Sequence, residues 1–166
     1  SIRSLKTLLN RGMLGSPVLA TIELRVIPHW QAFLQNYDRL TLLNLSIHHL
    51  DCFRFLFGDP ERVFASARPD PRLKHKHCDG IALYILEYSN GLRATSWDDV
   101  WTGPTRDGAL GAPSIQWRVE GSEGSAWGTI GWPDYPEGSP STLNFTSRQQ
   151  PSYIFQPRWK ERWFPD

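Results

Sequence analysis

A chain of 166 residues with 18 Lys+Arg against 17 Asp+Glu has a net charge of +1: it is long enough for a domain with its own core, and it lacks the basic stripe of a nucleic-acid binder. No apolar run approaches the roughly 20 residues of a membrane span, no charged-then-apolar leader marks secretion, and Cys52 and Cys78 alone make no disulfide framework, so a reduced, cytoplasmic protein is expected. The aromatic share is high, 13% with eight Trp, which implies large buried surfaces or stacking platforms for a ligand or partner.

Residues 2–11 put Ile2, Leu5, Leu8 and Leu9 on one helical face and run into a turn at 12–15. Residues 17–28 alternate Val18, Ala20, Ile22, Leu24 and Val26 against Leu19, Thr21, Glu23 and Arg25, which predicts a strand. Residues 29–37 lead into a second helix over 38–58, closed by Gly58 with Pro60 just beyond. A short strand over 63–67 precedes a loop, 68–78, whose Arg, Pro, Asp, Lys and His read as exposed. Strands over 79–88 and 92–97 meet at Asn90-Gly91, a strong hairpin signal. After a Gly-, Pro- and Asp-rich loop over 98–113, strands over 114–120 and 125–132 form a second hairpin. Residues 133–140 read as turn, and 142–146 and 152–156 as one or two edge strands. Helix, strand, helix and then hairpins predict an α+β fold: a mostly antiparallel, open sheet with helices packed on one face. No repeat divides the chain, so residues 1–166 read as a single domain.

The helix over 38–58 carries the chemistry. At 100° per residue, Thr41, Asn44, His48 and Asp51 fall within about 80° of one another, and most of the remaining circumference is Leu, Ile and Phe. A helix apolar nearly all round is a buried one. Buried polar groups need partners, so this stripe faces either other polar groups or a cleft that admits a ligand. Asn44 and His48, four apart, reach one small molecule together. His48 is the candidate proton-transfer residue, because imidazole titrates near neutrality; the alternative is a core histidine bonded to Asp51 or to a backbone carbonyl. Asn44 gives and accepts hydrogen bonds without carrying charge. It orients a substrate hydroxyl or completes a polar helix face. Asp51 orients His48 from three residues on, or bonds a backbone N–H in a neighbouring loop. His49 lies about 100° off the stripe and reads as packing or surface.

Trp30, and Trp97 with Asp98 and Trp101, are candidates for a sugar platform; the alternative for each Trp is the core or a subunit interface. His48 with Cys52, and the cluster His75, His77 and Cys78, are the groupings to weigh for metal. Neither has paired zinc spacing, so no metal is expected. Gly121, Gly124 and Gly128 lack the G-x-G-x-x-G spacing and sit in a hairpin, so no cofactor-binding residue is expected in this chain.

The segment LSIHHLDCFRFLFGDPERVFA, residues 45–65, has a His-x-x-Asp core followed by Gly-x-Pro and a strand. It resembles the C-terminal domain of Gfo/Idh/MocA-type oxidoreductases, the family that includes glucose–fructose oxidoreductase and inositol 2-dehydrogenase. LLNRGMLGSPV near the start, LEYSNGLRAT at 86–95 and VEGSEGSAWGTIGW at 119–132 carry the resemblance through most of the chain, in the family's order. The resemblance implies a substrate-binding and oligomerisation domain of an NAD(P)-dependent enzyme that acts on a sugar, cyclitol or related polyol. NAD or NADP would be held mainly by a separate nucleotide-binding domain, and the open sheet face would mediate homo-oligomer formation. It implies that His48 is the proton-transfer or hydroxyl-binding residue. Asn44 departs from the family pattern, which has Asp four residues before that histidine, and an amide does not raise the basicity of a histidine as a carboxylate does. The family's Glu-Lys-Pro motif, with the lysine that polarises the reacting oxygen, is missing from this chain and belongs to the other domain. The chain therefore reads as a domain excised from a longer enzyme and inactive by itself. A non-catalytic carbohydrate-binding or scaffold domain of the same fold, and a metal-dependent enzyme, remain as alternatives.

Overall fold

The structure is a computed structural model and describes residues 1–25, 32–73, 77–99, 114–131 and 141–155. Along the chain run α1 (Ile2–Asn10), β1 (Pro17–Arg25), a short 3-10 helix (Ala32–Asn36) and a π-helical turn (Thr41–Ser46) that continues into α2 (Ile47–Phe57). The strands β2 (Arg62–Arg68), β3 (Ile81–Glu87), β4 (Arg93–Asp99), β5 (Ser114–Gly121), β6 (Gly124–Ile130), β7 (Leu143–Ser147) and β8 (Gln150–Phe155) follow. All eight strands join one sheet in the order β2-β3-β4-β1-β5-β6-β7-β8. Every neighbouring pair is antiparallel except β1 and β4, which run parallel. A parallel pair needs a long crossover, and the segment holding α2, β2 and β3 supplies it.

Alternation fixes which face each strand buries. Ala20, Ile22 and Leu24 of β1, Ala82, Tyr84 and Leu86 of β3, and Ile115, Trp117 and Val119 of β5 point to the covered face. There they form the core with Leu5, Leu45, Phe53 and Leu56 of the helices. Lys6 Nζ donates to the Leu56 carbonyl at 2.8 Å and ties α1 to the end of α2. The β3–β4 hairpin turns at Asn90-Gly91 as expected: Asn90 Oδ1 accepts the Leu92 N–H at 3.1 Å, and Gly91 adopts φ +89°, where a Cβ would be strained. No described helix is long and apolar enough to cross a membrane.

Two expectations need correction. The loop 68–78 is not solvated throughout: Asp70, Leu73 and His77 are buried. His77 Nδ1 bonds the Tyr37 carbonyl, and Asp70 is held by the Arg72 guanidinium through Nε–Oδ1 at 2.8 Å and Nη2–Oδ2 at 2.5 Å. Burial pushes the Asp70 carboxyl up, but the Arg72 hydrogen bonds and charge outweigh it and hold the group below the usual carboxylate range. Pairing is what lets these polar groups go inside. Nor is the long helix buried all round. Leu43, Ile47 and Phe55 are 67%, 51% and 49% exposed, because only one side of the helix meets the sheet.

Candidate functional site

The helix start has no side-chain cap of its own. Asp79, just before β3, supplies one from a distance: Oδ1 accepts the Leu40 N–H at 2.9 Å and Oδ2 the Leu42 N–H at 2.8 Å. Two of the amides that a helix N-terminus leaves unpaired are thereby satisfied, with negative charge at the positive end of the dipole. Cys78 N–H donates to the Asp38 carbonyl at 2.8 Å beside this cap.

The turn that Asp79 holds is π-helical, and a π turn closes i→i+5 instead of i→i+4. The helical phase therefore shifts between Thr41 and Ser46. Thr41, Ser46, His49, Phe53 and Leu56 are all buried, Asn44 and His48 are half-buried, and Asp51 is exposed. The expected stripe of four is thus one of three. Thr41 leaves it for the buried side, where its Oγ1 has no hydrogen-bond partner among the described residues.

His49 turns to the core, where a carboxylate waits. Its Nδ1 lies 2.8 Å from Asp98 Oδ1, with both side chains essentially inaccessible. Ser46 Oγ donates to Asp98 Oδ2. Ser96 Oγ sits 2.8 Å from Asp98 Oδ1 and 2.8 Å from the Ile22 carbonyl, so its single proton serves one acceptor at a time. The Tyr84 hydroxyl, 3.5 Å from Oδ2, completes the shell. Burial first, and the Asp98 charge second, push the Tyr84 phenol far above its ordinary range, so it stays a donor. A buried carboxylate persists because it is bonded on every side.

Around His48 the electrostatics are mixed. Burial lowers its proton affinity most, the neighbouring His49 lowers it further, and Asp51 opposes both. Burial, with Asp51 second, pushes the Cys52 thiol up to about 12, so it is protonated at neutral pH and is a poor partner for His48 in holding a metal. Among the described residues no group of three or more His, Cys, Asp or Glu could hold a metal ion, and His75 lies outside them.

Trp30 and Trp101 also lie outside the described residues. Trp97 does not join the site. Adjacent residues of a strand point to opposite faces, so Asp98 meets α2 while Trp97 stands on the far face, 39% exposed, with the Arg25 guanidinium 5.0 Å from its ring. There it lines an open groove of about 440 Å³ with Arg68, Arg72, Leu83 and Asp99. Asn44 and His48 are each half-buried, Asp51 is exposed with its charge acting on His48, and Trp97 stands on the sheet face away from α2.

Sequence reasoning put Asp98 in a sugar platform, whereas it is fully buried as a hub of hydrogen bonds on the opposite side from Trp97, and it missed Asp79 as a cap. For Asp98 a signal existed: Ala94, Ser96 and Asp98 alternate onto the core face of β4, and a polar pair there calls for a buried partner. Reading the strand only to Trp97 hid it. Asp79 bonds amides 37 to 39 positions away, and no local pattern announces that. The glycines of the second hairpin have a packing role. A Cβ on Gly128 would fall 2.1 Å from the Thr142 carbonyl and 2.8 Å from the Trp117 ring.

A family model described as the GFO/IDH/MocA C-terminal domain matches residues 2–127. The chain is similar to D-apiose dehydrogenase of Rhizobium rhizogenes, at 27% identity over 179 residues that cover 97% of this chain and 50% of that protein. It spans about half the length of that curated relative. Its fold is similar to an oxidoreductase from Agrobacterium radiobacter in complex with NAD+, L-tartaric acid and magnesium, with TM-score 0.72, 21% identity and coverage of 97% of this chain and 45% of that one. It is also similar to an inositol dehydrogenase homolog from Azotobacter vinelandii complexed with NADH and myo-inositol, with TM-score 0.66, 16% identity and coverage of 93% and 39%.

Proposed function

The chain belongs to the GFO/IDH/MocA C-terminal domain family, and from that premise we propose that it is the substrate-binding and dimerisation half of an NAD(P)-dependent oxidoreductase acting on a sugar, cyclitol or related polyol. One observation supports the reading: Asn44 and His48, four residues apart, are both half-buried, between exposed Leu43 and Ile47 and buried Ser46 and His49. The substrate class is supported by the names of the relatives, D-apiose dehydrogenase and an inositol dehydrogenase homolog bound to myo-inositol.

The glycines of the second hairpin leave phosphates no room: at Gly121 a Cβ would meet the Leu14 carbonyl at 2.0 Å. NAD or NADP belongs to the rest of the enzyme, where it supplies the hydride acceptor. This chain handles the hydroxyls and the proton. Lowered proton affinity keeps His48 neutral at pH 7, with a ring nitrogen able to take a substrate hydroxyl proton. Asp51 then stabilises the imidazolium from the rim, and Asn44 orients a neighbouring hydroxyl with its amide. The far sheet face, apolar at Leu83 and Ile85, accepts a second copy.

In the full-length enzyme, His48→Ala should lower turnover by roughly 10²–10⁴, the usual share of an acid–base group, with little change in thermal midpoint. Unchanged turnover would overturn the assignment. A second reading, a binding or scaffold domain without catalysis, is favoured by Asn44 at the position where the family has a carboxylate. It predicts polyol binding by the full-length protein with no NAD(P)-linked turnover of any polyol bound.

A further inference from the structure

We infer that Asp98 is a positioning residue for His48, setting the rotation of α2 through Ser46 and His49; the inference rests on the catalytic reading of His48. Ser46 and His49 stand two residues before and one after His48, and Asp98 bonds both, through Oδ2 and Oδ1. A residue turns 100° around the axis per position along a helix, so a helix held at both points cannot roll. Rolling is the motion that would carry His48 and Asn44 out of their half-buried positions.

The turn before this attachment is held as well. Asp79 fixes the amides of Leu40 and Leu42, and Asn44 lies between the two carboxylate anchors. π turns are rare and gather at functional sites. Here the extra residue is confined between Asp79 and Asp98, which sets Asn44 in register with His48.

Cohesion alone does not call for this arrangement. Ala94, on the same strand and the same face, is fully buried with an apolar side chain. A buried ion pair is weak evidence for stability, because a well-packed apolar replacement is often as good. What the carboxylate adds is direction, since its two oxygens hold the Ser46 and His49 donors at two separate points. Asp98 in turn is held by Ser96 and Tyr84, so the helix is oriented from two interior strands of the sheet.

The test is a double-mutant cycle in the full-length enzyme with polyol and NAD(P). Asp98→Asn keeps the volume and one acceptor oxygen but offers an amide N–H where a second acceptor stood. It should lower kcat by about 10- to 100-fold, the scale on which misplacement of a reacting group acts, while KM moves by less than about threefold. Added to His48→Ala, it should cause no further loss, because a group that acts through His48 has nothing left to position. An equal loss in both backgrounds, or a lowered thermal midpoint with kcat intact, overturns the inference. If Asp98→Asn does not fold, Ser46→Ala runs the same cycle with the carboxylate in place, and an additive loss there overturns it too. Undiminished turnover in His48→Ala alone would instead remove the catalytic reading, and this inference with it.

Discussion

His48 is pulled in opposite directions, and the sign of the result is measurable. Burial and His49 lower its proton affinity from 6.5 while Asp51 raises it, with a net lowering. Between the native value and 6.5 the unfolded chain binds more protons than the folded one, so stability rises with pH in that window. This contribution is complete above about 6.5 and is lost as pH falls from there towards the native value. His48 is only half-buried, so solvent screening keeps the effect small. His48→Gln, which cannot titrate, should show a smaller drop in thermal midpoint between pH 8 and pH 5 than the wild type. An equal drop in both would place the pH dependence on other groups. The same residue shows the limits of local reading. Its type and spacing marked it as a candidate, whereas the direction of its neighbour His49 was decided by a carboxylate on another element.

At the scale of elements, alternation and turn chemistry made the strands legible. Asn90-Gly91 marked one hairpin and the glycines around residue 122 the other, and both formed within a residue or two of the expected limits. The helix was legible from its Leu, Ile and Phe, but its phase was not. A 3.6-residue period assigned Thr41 to the stripe with His48, and the π turn moved it to the core. That turn depends on Asp79, which is remote in sequence, and the parallel pairing of β1 with β4 is equally non-local. Single-residue periodicity carries neither. Asp79→Ala should therefore lower stability by about 1–2 kcal/mol, the upper range for losing a helix cap. It should also increase hydrogen exchange at Leu40 and Leu42 more than at residues of β5. Uniform acceleration across both elements would mean that the cap supports the whole fold and not the turn.

At the scale of the whole molecule, the sheet has one face covered by helices and another that presents Phe64, Leu83 and Ile85 at 57%, 46% and 45% exposure, with Leu19 at 42% beside them. Lateral register confirms that they share that face: Phe64 pairs with Ile85, and Leu83 and Ile85 pair with Trp97 and Thr95. Under the dimerisation reading this apolar surface is the interface, with two copies of the open antiparallel sheet meeting across a twofold axis, each face supplying the same residues to the other. Arg25 over Trp97 and Arg118 over Trp127 stand on the same face, and Arg and aromatic residues are the types such interfaces favour. Sedimentation at micromolar concentration should report a dimer or a larger assembly. Ile85→Lys puts a charge at the centre of the patch, where desolvation without a partner is costly, and should shift the population to monomer with the circular dichroism unchanged, because the side chain points away from the core. A monomeric wild type, or a variant that associates as well as the wild type, would show that this face is covered by something other than a second copy.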